Sequence, residues 1–165
     1  MLYTETDRSQ ATAERAKRLW VVLVPTVLIL LAAIATFVWY RLNRDASGWV
    51  LTGLITVVGG AYFIFFYDVY FKPVSIYKHH VDYMLDAHKR ETVGLLKEIG
   101  GDVIDKDGMD CRTITVNVGD KNVPEDDRSF YLDALKAVPD DLPVGVRVRV
   151  LSNDRMVAAI DPAGE

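Results

Sequence analysis

Two long uncharged runs constrain this chain more than any other feature. Leu19–Tyr40 has 22 residues and Trp49–Tyr67 has 19, and neither contains a charged side chain. At a rise of about 1.5 Å per residue, a helix of either length crosses a hydrocarbon core of roughly 30 Å. The runs therefore predict two transmembrane spans, at about 19–40 and 49–69, in a helical hairpin over 19–71.

The first run could alternatively be a cleaved signal peptide. Its apolar stretch is longer than the roughly 7 to 15 residues of a signal peptide's apolar region, and the polar segment after Tyr40 offers no small-x-small cleavage site. We therefore interpret the run as an uncleaved anchor. Asp68, at the end of the second run, is interpreted as an interfacial carboxylate, with a functional carboxylate inside the membrane as the alternative.

The distribution of Lys and Arg sets the orientation of the hairpin. Four basic residues precede the first span and four lie within residues 72–90, close after the second, whereas only Arg41 and Arg44 lie between the spans. Loops rich in Lys and Arg remain in the cytoplasm. The pattern predicts a multi-pass plasma-membrane protein with both termini cytoplasmic, including an N-terminal segment over residues 1–18.

Small residues recur every four positions on both spans. Thr52, Thr56 and Gly60 form such a row on the second span, and Ala32 and Thr36 do so on the first. Small side chains let membrane helices approach closely, so we predict a helix-packing face at Thr52, Thr56 and Gly60. The face serves either packing inside the hairpin or association with another copy or a different membrane protein, in addition to contact with the lipid bilayer.

A juxtamembrane helix is predicted after the second span, over residues 72–90. Apolar or amphipathic side chains recur at helical spacing at Val74, Tyr77, Val81, Met84, Leu85 and His88. The polar residues of the segment include Lys78, His79, Asp82, Asp86 and Lys89, and the pattern predicts an amphipathic helix at about Val74–Lys89. It either lies on lipid headgroups or docks on the segment that follows.

Residues 91–165 change to short runs typical of strands. These runs are TVGLLKEI, CRTITVNV, RSFYLDA, VRVRVL and RMVAAI. Ile114, Val116 and Val118 alternate with polar residues, and Asn153-Asp154 suits a two-residue hairpin turn. We predict an α+β membrane protein whose soluble domain is a five-stranded antiparallel β-barrel of OB or SH3-like type. An irregular sheet packed on the juxtamembrane helix is the alternative.

The charge and the cysteine content exclude some classes of function. Residues 91–165 hold nine Lys/Arg against sixteen Asp/Glu, and the whole chain has a net charge of −4. An acidic domain repels phosphate backbones, which argues against nucleic-acid binding. The lone Cys111 excludes an intrachain disulfide and is interpreted as a structural thiol.

Several polar clusters contain residue types found in metal or catalytic sites. In the acidic loop 102–110, placing Gly108 at the glycine position of a calcium loop puts apolar residues where carboxylates are required. The acidic run Glu125–Asp127 has no neighbouring His and is interpreted as a solubilising loop. His80, Met84 and His88 share a predicted helical face but lack a third firm ligand. Ser75, Ser129 and Ser152 lie in no nucleophile motif. We therefore predict no catalytic, metal or cofactor residues.

Arg147 and Arg149 form the candidate ligand or partner face. They project from the same side of one predicted strand, and OB-type barrels can bind ligands on a strand face. The alternatives are pairing with neighbouring carboxylates or contact with an acidic lipid surface.

The closing segment LPVGVRVRVLSNDRMVAAID resembles the end of the small barrel in NfeD-like membrane proteins. The chain also resembles uncharacterised small bacterial two-span membrane proteins, through segments similar to KRETVGLLKEI, NVGDKNVPEDDRSFYLDA and VRVRV. The resemblance covers about half of the chain and implies a bacterial inner-membrane protein with an OB-like barrel. The longer membrane portion and the Gly-rich barrel opening of NfeD-like proteins are missing.

The function expected from the sequence is that of a non-catalytic interaction or assembly module. It presents a small acidic barrel at the cytoplasmic membrane face, where a membrane-protein partner is expected. The alternative is a metal-binding or a ligand- or lipid-sensing membrane protein, or an accessory subunit of a membrane enzyme.

Overall fold

A computed structural model describes residues 1–44, 46–119, 123–137 and 142–163. The chain divides into two compact units. The sheet unit combines Met1–Ser9 with Ile76–Glu165, and the helical unit is Gln10–Ser75. The first nine residues therefore belong with the C-terminal half of the chain, although the hairpin separates them in sequence.

The first helix, α1, is Glu5–Asn43 and begins far ahead of its apolar run. A reciprocal pair of hydrogen bonds stabilises its start. The Asp7 amide donates to Thr4 Oγ1 at 3.3 Å, and the Thr4 amide donates to the Asp7 carboxylate at 2.8 Å. This is a capping box with Asp in the place of the usual Glu or Gln, and it satisfies two amides that the first turn leaves unpaired.

The helical unit contains most of α1 and all of α2, Ala46–Phe65. α1 and the helix that starts at Ala46 are both long and apolar enough to cross a membrane, and only 6% of the most apolar stretch of each is buried. Only Arg44 and Asp45 separate α1 from α2, because both helices extend beyond their uncharged runs. Arg44 has a φ of 51° and donates its amide to the Tyr40 carbonyl, which ends α1, while Asp45 lies outside the described residues.

The second apolar helix continues past the end of its uncharged run. A π-helical turn, Phe66–Phe71, follows α2 and leads directly into α3, Lys72–Asp86. Pro73 therefore lies inside a continuous helix, just after the π-helical turn, and its missing amide leaves one bond of the helical ladder unmade there. The juxtamembrane helix predicted at Val74–Lys89 is therefore present as α3, continuous with the second apolar helix, and it ends three residues before Lys89.

Five strands form the sheet of the described residues. They are β1 Arg90–Lys106, β2 Met109–Asn117, β3 Asp127–Asp133, β4 Arg147–Asn153 and β5 Met156–Pro162. Their order is β1-β2-β3-β5-β4, and β4 returns to pair with β1, so the sheet closes on itself. The expected all-antiparallel pairing is wrong at one place, because β3 and β5 are parallel and meet at the single pair Tyr131–Met156.

β1 is long because it serves two neighbours. Its first half pairs with β4 and its second half with β2, with register shifts between Ile99 and Val103. Gly100 and Gly101 lie at this irregularity, where a strand can bend without ending. The segment between the predicted runs TVGLLKEI and CRTITVNV, which includes the acidic loop 102–110, is therefore mostly strand. It contains only a two-residue turn at Asp107-Gly108, whose φ angles of 57° and 82° suit a type I′ hairpin.

The sheet unit has two apolar clusters. The first fills the sheet interior with residues of all five strands and Leu142. The second joins α3 to the sheet through Val81 and Met84, which pack with Tyr3, Cys111 and other residues. The part of α3 from Ile76 onward thus docks on the sheet, which was one of the two predicted alternatives.

Two local predictions in the sheet unit are wrong by small shifts in register. The turn between β4 and β5 is Asp154-Arg155, with φ angles of 45° and 66°, rather than Asn153-Asp154. Asn117 is buried instead of facing water, and Val118, beyond the end of β2, is exposed. The burial of Asn117 is tolerated because its side-chain amide donates to the Val123 carbonyl and to Asp127.

Candidate functional site

A hydrogen-bonded group of buried and half-buried polar side chains in the sheet unit joins three distant parts of the chain. Tyr3 precedes α1, His80 lies on α3 and Asp133 ends β3. Tyr3 and Asp133 are 3% and 1% exposed. We call these three residues the Tyr3 network, and it is the best candidate for a functional arrangement of ionisable groups.

The hydrogen-bond directions within the Tyr3 network follow from its donors. The Tyr3 hydroxyl donates to Asp133 Oδ2 at 3.3 Å, and it lies 2.9 Å from His80 Nε2. Because a phenol has only one hydrogen to donate, His80 must supply the hydrogen of the second bond from Nε2. The other oxygen of Asp133 accepts the Leu135 amide at 2.8 Å, so both carboxylate oxygens are bonded.

Burial dominates the ionisation of the Tyr3 network. Burial, reinforced by the Asp133 carboxylate, raises the pKa of Tyr3 far above its ordinary value and raises the pKa of neighbouring Tyr77 to about 12. Burial also lowers the pKa of His80, against the opposing pull of Asp133. The network therefore holds a neutral imidazole and a neutral phenol at neutral pH.

Charged residues surround the network at the start of α1. Lys136 Nζ lies 2.7 Å from Asp7 Oδ1 and 5.1 Å from the centre of the Tyr3 ring. Arg8 forms ion pairs with Asp82 at 3.2 Å and with Asp86, both on α3. These contacts, with the Leu2 amide donating to the Ala158 carbonyl at 2.9 Å, fix residues 1–9 within the sheet unit.

The Tyr3 network is suited to holding the chain rather than to chemistry. A catalytic acid or base must reach the proton that it transfers, whereas the Tyr3 hydroxyl and the Asp133 carboxylate are almost fully enclosed. Sequence reasoning did not single out Tyr3 or Asp133. The available signal was the T-x-x-D capping box at Thr4–Asp7, which marks a helix start well before the apolar run.

Cys111 lies beside the network and is fully buried. It pairs in register with Asp133 across β2 and β3. Burial, followed by the charge of Asp133, raises the pKa of the Cys111 thiol to about 11. A thiol in this state is a poor nucleophile, because the thiolate is the reactive form.

Arg147 and Arg149 are both exposed on the outer side of β4, as the alternation predicted. Arg149 Nε lies 3.0 Å from Glu91 on β1, so this residue pairs with a neighbouring carboxylate, which was one of the alternatives. The buried Val148 and Val150 alternate with the two arginines. Arg147 and Arg149 therefore share a face, but the charge of Arg149 is already opposed by a carboxylate.

The predicted face of His80, Met84 and His88 does not form. His80 is bonded to Tyr3, Met84 is buried in the second apolar cluster, and His88 lies beyond the end of α3. Among the described residues, no group of three or more His, Cys, Asp or Glu side chains is placed to hold a metal ion.

The acidic loops serve local structure. The Asp105 carboxylate accepts the Gly108 amide at 3.2 Å and so supports the β1–β2 turn. Glu125 and Asp126 lie in a 3₁₀ turn, Pro124–Asp126, whereas Asp127 begins β3. Hydrogen bonds from Asn117 and then Lys97 lower the pKa of Asp127.

The row Thr52, Thr56 and Gly60 is divided between two environments. Thr52 Oγ1 lies 2.9 Å from Thr36 Oγ1 inside the hairpin, whereas Thr56 and Gly60 are exposed. The close approach of α1 and α2 occurs instead at Gly59, where an added Cβ would lie 2.3 Å from Ile29 Cγ2. Thr52 thus packs inside the hairpin. Association of Thr56 and Gly60 with another copy or a different membrane protein remains a prediction.

Comparison of the chain with protein-family models, curated proteins and solved structures finds no match.

Proposed function

We propose that this chain is a membrane-anchored interaction or assembly module. In this proposal the helical unit crosses the bacterial inner membrane as a two-span hairpin, and the sheet unit is a small acidic barrel on the cytoplasmic side. The barrel binds a membrane-protein partner without catalysing a reaction.

One observation carries the proposal most directly. The sheet unit is assembled from chain segments on both sides of the apolar hairpin, Met1–Ser9 and Ile76–Glu165. A single folded unit cannot have its parts on opposite sides of a membrane. This supports a hairpin that crosses the membrane twice and leaves both of its ends on the same side.

The surface of the helical unit supports insertion. Large apolar side chains are exposed along both helices, with Trp20 at 62% and Val57 at 72%. Contiguous apolar surface of this extent indicates contact with lipid or with another protein. The basic residues that flank the hairpin favour the cytoplasm for both ends.

The strand order supports an OB-like barrel, distantly similar to that of NfeD-like proteins. A closed five-stranded circuit with a Greek-key crossing is the architecture of the OB-fold. β1 pairs with both β2 and β4, and the crossing arises because β3 neighbours β5 instead of β4. Closure also protects the strand edges, which favours a specific partner surface over indiscriminate strand pairing.

Anchoring makes weak binding effective. Two proteins confined to one membrane meet at a high local concentration, so modest affinity of the barrel for its partner is sufficient. Exposed apolar residues of the sheet unit, Val103 at 54% and Leu135 at 75%, are the first candidates for contact.

Site-specific photocross-linking in native membranes tests the proposal. The full-length chain carries a photoreactive amino acid at Val103 in one sample and at Leu135 in another. We expect a discrete adduct with another protein from at least one position. Leu132→Asp, which disrupts the sheet interior, is the matched control and should abolish that adduct. Adducts with lipid alone from both positions, or adducts unchanged by Leu132→Asp, would contradict the proposal.

A further inference from the structure

The interior of the closed sheet ends in a polar groove. Alternate residues of a strand share a face, so the buried rows can be followed beyond the apolar core. On β1, buried Leu96 and Gly94 are followed by Thr92 and exposed Arg90. On β3 the row of Leu132 and Phe130 leads to exposed Arg128, and on β4 the row of Val148 and Val150 leads to Ser152.

These rows converge at one end of the sheet. Arg90 of β1 pairs in register with Ser152 of β4. Because β3 meets β5 only at Tyr131, the first half of β3 leaves a gap toward the β4–β5 turn. The gap is a groove of about 700 Å³ lined by Arg90, Thr92, Arg128, Ser129, Arg155 and Tyr83, among others. We call it the mouth groove.

The mouth groove has the size and location of a ligand site. Small-molecule sites measure roughly 300 to 1,000 Å³ and occur preferentially at places that include the mouths of β-barrels. The Tyr131 amide donates across the gap to the Arg155 carbonyl at 2.8 Å. Because the ladder alternates, Ser129 directs its own amide toward the same open edge of β3. The groove thus has backbone as well as side-chain donors.

The charge of the mouth groove is opposite to that of its surroundings. Arg90, Arg128 and Arg155 line it, although residues 91–165 carry seven more acidic than basic side chains. Glu91 also lines the groove, but Arg149 opposes its charge at 3.0 Å. Asp154 is the other carboxylate on the wall, so three guanidinium groups face one carboxylate that has no ion pair among the described residues.

The arginines differ in how firmly they are held. Arg128 Nη1 donates to the carbonyls of Glu125 and Asp127, each at 3.2 Å, which orients its guanidinium. The side chains of Arg90 and Arg155 make no hydrogen bond or ion pair within the described part of the chain. Two of the three guanidinium groups therefore have all their donors available.

We propose that the mouth groove binds a phosphate group. The planar guanidinium donates two parallel hydrogen bonds to phosphate oxygens, and three arginines around one groove supply this geometry several times. The Thr92 and Ser129 hydroxyls add neutral donors, and Tyr83 offers an exposed aromatic side chain at the rim. The phosphate is carried either by a lipid headgroup or by a soluble small molecule. This site differs from Arg147 and Arg149, which lie on the outer side of β4, and it does not depend on the proposed partner.

Thermal unfolding of the full-length protein in lipid nanodiscs tests the proposal. Pyrophosphate is the soluble probe, titrated at constant ionic strength in phosphatidylcholine discs, and discs containing phosphatidic acid provide the lipid probe. A ligand that binds only the folded state raises the unfolding temperature. Arg155→Gln and Arg90→Gln should each weaken binding by about tenfold or more, as expected for charged hydrogen bonds. Arg147→Gln is the matched control and should bind like the wild type.

The two sources give different results. Stabilisation by pyrophosphate in both kinds of disc assigns a soluble ligand. Stabilisation by phosphatidic acid that removes the further effect of pyrophosphate assigns a lipid headgroup. Protection of Cys111 from a thiol reagent verifies that each variant is folded. No stabilisation by either probe, or equal loss of binding in Arg147→Gln and Arg155→Gln, would overturn the proposal.

Discussion

The hydroxyl of Tyr3 donates a hydrogen bond to the carboxylate of Asp133, 130 positions later in the chain. Between these residues lie both apolar helices and most of the sheet. The bond therefore ties the start of the chain to β3 and makes the N-terminus part of the sheet unit. Removing the Tyr3 hydroxyl by mutation therefore tests this assembly directly.

Tyr3→Phe should destabilise the sheet unit. The substitution keeps the buried ring but leaves Asp133 Oδ2 and His80 Nε2 without their shared partner, which costs about 1 to 3 kcal/mol. Heating the protein with a thiol reagent measures the effect, because Cys111 reacts only when the sheet opens. Tyr83→Phe is the control, since the Tyr83 hydroxyl makes a single exposed bond to Asn153 at 3.3 Å. Equal unfolding temperatures for the two variants would argue against the Tyr3 network.

The stability of the sheet unit should fall as the pH drops below about 6.5. Burial lowers the pKa of His80, so the unfolded chain takes up the proton first. Stability is full above the unfolded pKa of about 6.5 and declines as the pH falls toward the lower folded pKa. Unfolding temperatures between pH 8 and pH 5 measure this slope. His80→Gln should flatten it, whereas His88→Gln, at an exposed position, should leave it unchanged. A wild-type profile that is flat over this range would refute the assignment.

Substitution by alanine should destabilise the hairpin at Gly59 but not at its neighbour Gly60 on α2. Gly59→Ala places a methyl group 2.3 Å from Ile29 Cγ2, and overpacking of this kind costs about 1 to 3 kcal/mol. Gly60→Ala meets no atom within 4 Å and should change stability by less than about 0.5 kcal/mol. The rate of disulfide formation in a Thr36→Cys/Thr52→Cys variant reports the approach of the two helices. A loss of cross-linking in Gly60→Ala but not in Gly59→Ala would contradict the packing described for the hairpin.

Two glycines of β1, Gly94 and Gly101, allow a similar comparison. An added Cβ at Gly94 would lie 2.3 Å from the Asn117 carbonyl oxygen, a backbone atom that cannot move independently. At Gly101 the same atom would meet nothing within 4 Å. Gly94→Ala should therefore expose Cys111 at a lower temperature by several degrees, given the size of overpacking costs. Gly101→Ala should behave as the wild type, and the reverse order would show that the register of β1 is different.

The sequence predicted the elements whose patterns are local. The two uncharged runs indicated the apolar helices, and the alternation of Val148 and Val150 with Arg147 and Arg149 indicated β4. The position of Tyr3 beside Asp133 could not be predicted, because no local pattern links residues so far apart. The predicted run TVGLLKEI ended at Ile99, before Gly100 and Gly101, whereas β1 continues to Lys106, because glycines mark bulges within a strand as well as breaks between strands. The mouth groove was missed because Arg90 and Arg128 come from separate strands and Arg155 from a turn, and the three meet only through the closed register.

Cysteine accessibility in intact cells tests the central claim most directly. In a Cys111→Ala background, single variants Ser9→Cys, Asn43→Cys and Gly101→Cys are treated with a membrane-impermeant maleimide before and after permeabilisation. We predict that only Asn43→Cys, next to the turn between α1 and α2, is labelled in intact cells. Ser9→Cys and Gly101→Cys should be labelled only after permeabilisation. Labelling of Ser9→Cys and Gly101→Cys on opposite sides, or of all three alike, would contradict a two-span anchor whose ends meet in one folded unit.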